Sequence, residues 1–226
     1  ESWGKAGYGR KLEDLFAKIH GVKYAFATDS ATGAIHAAIG AVNPEPGDEI
    51  ITTPATNVGT VLGIMLQNAI PVFADWDADT FSTDPADIER RITDRTRAII
   101  AVHYTGNPCD MDAIMDIGRR HNLVVIEDCS HAHFAEYKGQ LVGTIGDMAC
   151  YSLGGKLITA GGAGGMFMSN DDGLTRRAKG FAHKGSEYDA ELRDALRPTS
   201  EQRGSPRGYL FLGDYHRMSE LMGAVG

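Results

Sequence analysis

"VVIEDCSHA", Val124 to Ala132, follows Leu123 as an apolar run that meets two carboxylates, Glu127 and Asp128. The run is too short for a helix and is rich in β-branched residues, so it reads as a buried strand. A strand buried on both faces belongs to a mostly parallel sheet covered by helices. Such sheets bind ligands beyond the carboxyl ends of their strands, where these two acids fall.

The rest of the chain repeats that alternation. "RKLEDLFAKIHG", Arg10 to Gly21, has Leu12, Leu15, Phe16 and Ile19 at helical spacing and Gly21 as a stop. "KYAFATDS" reads as a strand and "ATGAIHAAIGAV" as an Ala-rich helix. "GDEIITTP" is a strand stopped by Pro54, "VGTVLGIMLQNA" a helix and "IPVFADWD" a strand. Asp84 and Pro85 open the helix "DPADIERRI" as cap and first-turn residue. "TRAIIAVHYTG" is a strand, "DMDAIMDIGRRHN" a helix, and "GDMACYSL" and "GGMFMSND" are strands around a glycine cluster. "DGLTRRAKGFAH" is helical. The expected architecture is α/β, a mostly parallel sheet between helices. From Ser186 to Gly208 the charged, Pro/Gly-punctuated text reads as an exposed loop. "HRMSELMGAVG" then starts a helix that runs to the last residue.

Bulk properties narrow the function. The chain has 226 residues, 42% hydrophobic and 23% charged, as in a globular protein. Its net charge of -8, without a basic run, argues against nucleic acid and anionic membrane surfaces. No apolar stretch reaches the ~20 residues of a membrane span, and no secretory signal is seen. Cys109, Cys129 and Cys150 lack paired spacing, which suits a reducing cytoplasm and offers no zinc framework.

Three features form a chemically coherent set. Asp128 at its strand end is suited to hold a protonated ring nitrogen, because a cationic partner keeps a carboxylate ionised. Lys156, in "YSLGGKLITAGGAGG", offers an amine that forms a Schiff base with an aldehyde once deprotonated. "TDSATGAIHAA" brings Ser30, Ala31, Thr32 and Gly33 to a helix N-terminus, where backbone N–H groups and the helix dipole favour phosphate. Taken singly, each has an ordinary reading: a loop cap, a solvated lysine, an N-cap. Together they match pyridoxal 5′-phosphate. His131 follows Asp128 by three residues. His103, His133 and His183 read as structural hydrogen-bonders, Glu127 as solvated or bracing, and Tyr104 and Asn107 as a strand-end turn.

At these residues the chain resembles the large domain of the DegT/DnrJ/StrS sugar aminotransferases. "DSATGAIHAAI", "GDEIITTPAT", the block from Ala69 to Ile114, "VVIEDCSHAHFAEYKGQLVGTIGDMACYSL" and "HRMSEL" carry the resemblance. It implies the fold type I αβα sandwich, with Asp128 on the pyridine nitrogen and His131 near the ring hydroxyl. It also implies Ala31, Thr32 and Ser152 on the phosphate, and Lys156 as the Schiff-base lysine. Such enzymes move an amino group from glutamate or glutamine onto a keto sugar, often nucleotide-linked, or onto a ketocyclitol. They act in the cytoplasm as homodimers with shared sites.

The chain departs from the family pattern at several points. Ala31 stands where the family has glycine. Val58 takes the place of a ring-stacking aromatic after Pro54. Tyr215 takes that of an asparagine reaching the partner's phosphate. Ser152 and Lys156 are four apart where the family has five, so Leu157 falls on the ungapped lysine position. Three readings remain: a loop shifted by one residue, a lysine–cofactor adduct missing from the written sequence, or altered catalysis. Residues 1–226 are thus expected to form the cofactor-binding large domain, without the C-terminal small domain. A deoxysugar dehydratase and a non-catalytic binding relative are the alternatives.

Overall fold

The computed structural model describes residues 7–185 and 213–226. Its elements run α1 (Tyr8–His20), β1 (Tyr24–Thr28), α2 (Ala31–Val42), β2 (Glu49–Thr52), α3 (Val58–Leu66), β3 (Ile70–Phe73), α4 (Pro85–Arg90) and β4 (Thr96–Val102). A 3-10 turn (Tyr104–Gly106) precedes α5 (Met111–His121) and β5 (Val124–Asp128). There follow β6 (Glu136–Tyr137), β7 (Gln140–Leu141), β8 (Met148–Ser152), β9 (Gly165–Ser169), α6 (Asp172–Phe181) and α7 (Glu220–Val225).

Seven strands form one sheet in the order β1-β9-β8-β5-β4-β2-β3. β3, β2, β4, β5 and β8 are successively parallel, and β9 runs antiparallel to both β8 and β1. Strand periodicity explains the layers, since successive side chains leave opposite faces. Ile50, Ile100, Ile126, Cys150 and Phe167 join α2, α3 and α6 on one face. Ile51, Ile99 and Val125 meet Ile88 of α4 and Met111, Ile114 and Ile117 of α5 on the other. Leu12 and Phe16 of α1 cover Ala149, Tyr151, Met166 and Met168 on that second face. This is the expected αβα sandwich.

Helix α2 is buried along Gly33–Ala41, as an Ala-rich helix apolar on all sides must be. Small residues let it approach its neighbours: a Cβ on Gly40 would fall 2.4 Å from the Phe181 ring. Asp84 caps α4 as expected, its Oδ1 accepting from Ala86 N at 2.8 Å.

Two features depart from the sequence reading. The hairpin β6–β7 lies between β5 and β8, joined by Lys138 and Gly139 with φ 52° and 83°. The final helix begins only at Glu220, because Ser219 caps it by accepting from Met222 N at 3.2 Å. The expected loop from Ser186 to Gly208 lies outside the described residues.

Candidate active site

The strand-end acids of β5 part company by alternation. Asp128 lies on the α2–α3 face, in step with Ile126. Glu127 lies on the opposite face with Val125. Asp128 is only 3% exposed. Its Oδ2 accepts from Thr60 Oγ1 at 2.7 Å, and its Oδ1 from Ser130 N at 3.0 Å. Thr60 Oγ1 also lies 2.7 Å from Thr56 Oγ1. Its single proton goes to Asp128, so Thr56 donates to Thr60. This hydroxyl relay fixes the carboxylate from α3 and leaves each oxygen a further lone pair.

A cleft of about 330 Å³ opens over that carboxylate. Ser30, Ala31 and Thr32 line one side, at the first turn of α2. Ser30 caps the helix, its Oγ accepting from Gly33 N at 3.0 Å. Thr32 N–H belongs to the first-turn amides that have no partner within the helix. The turn is pressed against the sheet: a Cβ on Gly165 would fall 2.3 Å from Ser30 O. Ser152, Gly154 and Lys156 line the same cleft. Lys156 is exposed to solvent at the rim, and its charge reaches His131. Burial, then the Lys156 cation, lowers the His131 pKa below its ordinary value.

Of the residues expected at the site, Ala31, Thr32, Asp128, His131, Ser152 and Lys156 share this cleft. Val58 begins α3 with 73% exposure, and Tyr215 is 49% exposed with Lys184 Nζ 4.5 Å from its ring centre. Neither is among the cleft-lining residues, whereas Asn57, the N-cap of α3, is. Tyr104 also lines the cleft, its ring 5.5 Å from that of His131 and 5.5 Å from Trp76. Asn107 instead donates to Thr80 O at 2.6 Å. Leu157 points to solvent, 74% exposed.

Glu127 is neither solvated nor idle. It is fully buried and accepts four hydrogen bonds: from His103 Nε2 (3.0 Å), Gly143 N (2.7 Å), Ile145 N (2.8 Å) and Gly146 N (2.6 Å). Burial works against its charge, but the His103 bond and the amides prevail, and its pKa lies below the carboxylate norm. Cys109 N donates to His103 Nδ1 at 3.1 Å, which leaves the ring proton on Nε2, facing Glu127. Glu127 thereby anchors the segment entering β8, the strand that ends in Ser152. His133 Nε2 lies 2.8 Å from Ser152 O and braces the same strand end.

Comparison with known proteins identifies the family of the chain. The model of the DegT/DnrJ/EryC1/StrS aminotransferase family matches residues 2–226. A protein of Micromonospora echinospora described as a putative L-glutamine:3-amino-2,3-dideoxy-scyllo-inosose aminotransferase is 47% identical over 176 residues, covering 78% of this chain and 42% of its own. GDP-perosamine synthase of Escherichia coli O157:H7 is 39% identical, covering 80% and 50%. The crystal structure of an aminotransferase from Psychrobacter cryohalolentis superposes with a TM-score of 0.87 at 35% identity, over 99% of this chain and 56% of that one. NtdA from Bacillus subtilis, solved with bound cofactor PMP, gives a TM-score of 0.83 at 25% identity, over 98% and 47%. The chain thus spans about half the length of the curated relatives it matches.

Proposed function

Because the chain belongs to the DegT/DnrJ/EryC1/StrS aminotransferase family, we propose that it is the cofactor-binding part of a pyridoxal 5′-phosphate-dependent sugar aminotransferase. The enzyme would move an amino group from glutamate or glutamine to a keto sugar, often nucleotide-linked, or to a ketocyclitol. It would act as a cytoplasmic homodimer, with a C-terminal small domain completing each subunit.

One observation supports it above the rest. A buried, doubly hydrogen-bonded Asp128, the N-terminal turn of α2 and the Lys156 amine face a single cleft. The donor set fits the cofactor. Asp128, held by its Thr60 and Ser130 donors, retains lone pairs for a cationic ring nitrogen. The Thr32 amide and the Ser152 hydroxyl suit phosphate oxygens. Pyridoxal phosphate supplies the electron-accepting ring on which amino groups are exchanged. Lys156 would supply the amine that holds the cofactor and, once an amino substrate has displaced it, would serve as general base and acid. His131 and Tyr104, their rings 5.5 Å apart in the cleft lining, would help shield a bound ring from water.

Borohydride reduction of the cofactor-loaded protein, followed by peptide mass analysis, tests the assignment. The reduced cofactor is expected on Lys156 and is expected to disappear in Lys156→Ala. Labelling of a different lysine overturns it. Nitrogen-labelled glutamine separates transamination, which places the label in the sugar product, from dehydration, which does not.

A further inference from the structure

Outside the cleft, α2 carries a second polar assembly that the proposed chemistry does not use. His36 Nδ1 lies 3.1 Å from His216 Nε2, His36 Nδ1 lies 3.5 Å from Asp214 Oδ2, and His216 Nε2 lies 3.4 Å from the same oxygen. The three atoms form a nearly equilateral triangle. A tetrahedral zinc ion with ligands at ~2.1 Å needs donor atoms about 3.4 Å apart along each edge. The spacing therefore matches three vertices of a tetrahedron and leaves the fourth for water.

One outer partner already has the form that a metal-bound imidazole requires. His216 Nδ1 faces Asp29 Oδ1 at 3.5 Å, a carboxylate on the ring nitrogen away from the triangle. Gln67 Nε2 lies 2.8 Å from His36 Nε2, the outer nitrogen of that ring. A half-turn of the Gln67 amide would put its oxygen there instead, so that the ring proton sits on Nε2 and Nδ1 is free for the metal. The side chains of His36 and His216 are 5% and 14% exposed, and that of Asp214 is 51% exposed, which gives the ion a way in.

We infer that His36, His216 and Asp214 form a binding site for a divalent zinc-like cation. The site ties the segment after Gly213 to the helix whose first turn lines the cleft. The packing is close: a Cβ on Gly33 would fall 2.8 Å from His216 Nδ1. The buried trio His103, Glu127 and Cys129 is the only other such grouping among the described residues, and it is a poor competitor. Glu127 is already saturated by four donors, and burial pushes the Cys129 thiol up to about 12.

The test needs neither cofactor nor turnover, so its outcome is independent of the proposed aminotransferase reading. Cobalt(II) added to chelator-treated protein is expected to give the visible absorption of a tetrahedral ion. That band should saturate at one equivalent per chain, and zinc should displace it. Asp214→Asn, at a half-exposed position, and His216→Phe are expected to abolish it. Gln67→Ala is expected to weaken it by roughly 10-fold or more. Cys129→Ala, and His121→Ala at the ring beside Glu89, should leave it unchanged. A band that survives Asp214→Asn in protein of native circular dichroism overturns the assignment. So does an octahedral spectrum, or no binding by the folded wild type.

Discussion

Glu127 and Asp128 are neighbours with opposite surroundings, and the difference sets what each can do. Asp128 keeps unused lone pairs over a cleft, whereas each Glu127 oxygen receives two donors. Glu127→Gln puts an NH₂ group against N–H donors and leaves buried amides unpaired. A loss of about 2–4 kcal/mol in unfolding free energy is expected, measured by urea denaturation. A neutral result would mean that the hub is dispensable. Asp128 was legible because an acid at the end of an apolar strand needs a reason. Thr60 was not: it sits in the run "VGTVLGIML", where no spacing distinguishes a hydroxyl aimed at a partner 68 residues away. The sequence leaves Glu127 between a solvated and a bracing role, because three of its donors, Gly143, Ile145 and Gly146, come from a connection that residue patterns do not resolve.

At the scale of elements, α2 combines two roles. Its Ala-rich length packs against sheet, α3 and α6, while its capped first turn faces the cleft. Ser30→Ala removes the cap accepted from Gly33 N and should cost about 1 kcal/mol of stability. It should also weaken phosphate-dependent cofactor binding, seen as a higher Kd by fluorescence titration. Unchanged affinity would separate the cap from the phosphate site. The cap, the strand and the helix were visible in "TDSATGAIHAA" because N-capping residues and apolar runs are local signals. The hairpin β6–β7 was hidden because each arm has two residues, too few to show an alternation. The reversed direction of β9 was equally hidden. Strand direction depends on which neighbour the chain meets after the glycine loop, and residue pattern does not encode that choice.

At the scale of the whole molecule, burial rather than net charge governs the response to acid. His20, His36, His131, His133 and His183 all have lowered pKa values, with burial the first cause; His36 and His183 fall to about 4. Between their folded values and the ordinary value near 6.5, the unfolded chain binds more protons than the folded one. The stability that these five rings contribute to the metal-free protein is therefore expected to be full above about pH 6.5 and to decline on acidification towards pH 4. Each such ring contributes up to about 1.4 kcal/mol per pH unit in its window. Thermal melts across that range check the sign; a melting temperature that rises on acidification would refute it.

The glycine loop that presents Lys156 is clamped at both roots. Leu153 N bonds to Gly164 O at 2.8 Å, Ala160 N to Leu153 O at 2.8 Å, and Gly164 N to Asp29 O at 2.8 Å. Behind these clamps β8 and β9 stay paired from Ser152 and Gly165 onward. An added or deleted residue in the arc is therefore absorbed before it reaches the strands. The spacing between serine and lysine can change by a residue without disturbing the strand pairing, so the amine's reach is set separately from the sheet that supports it.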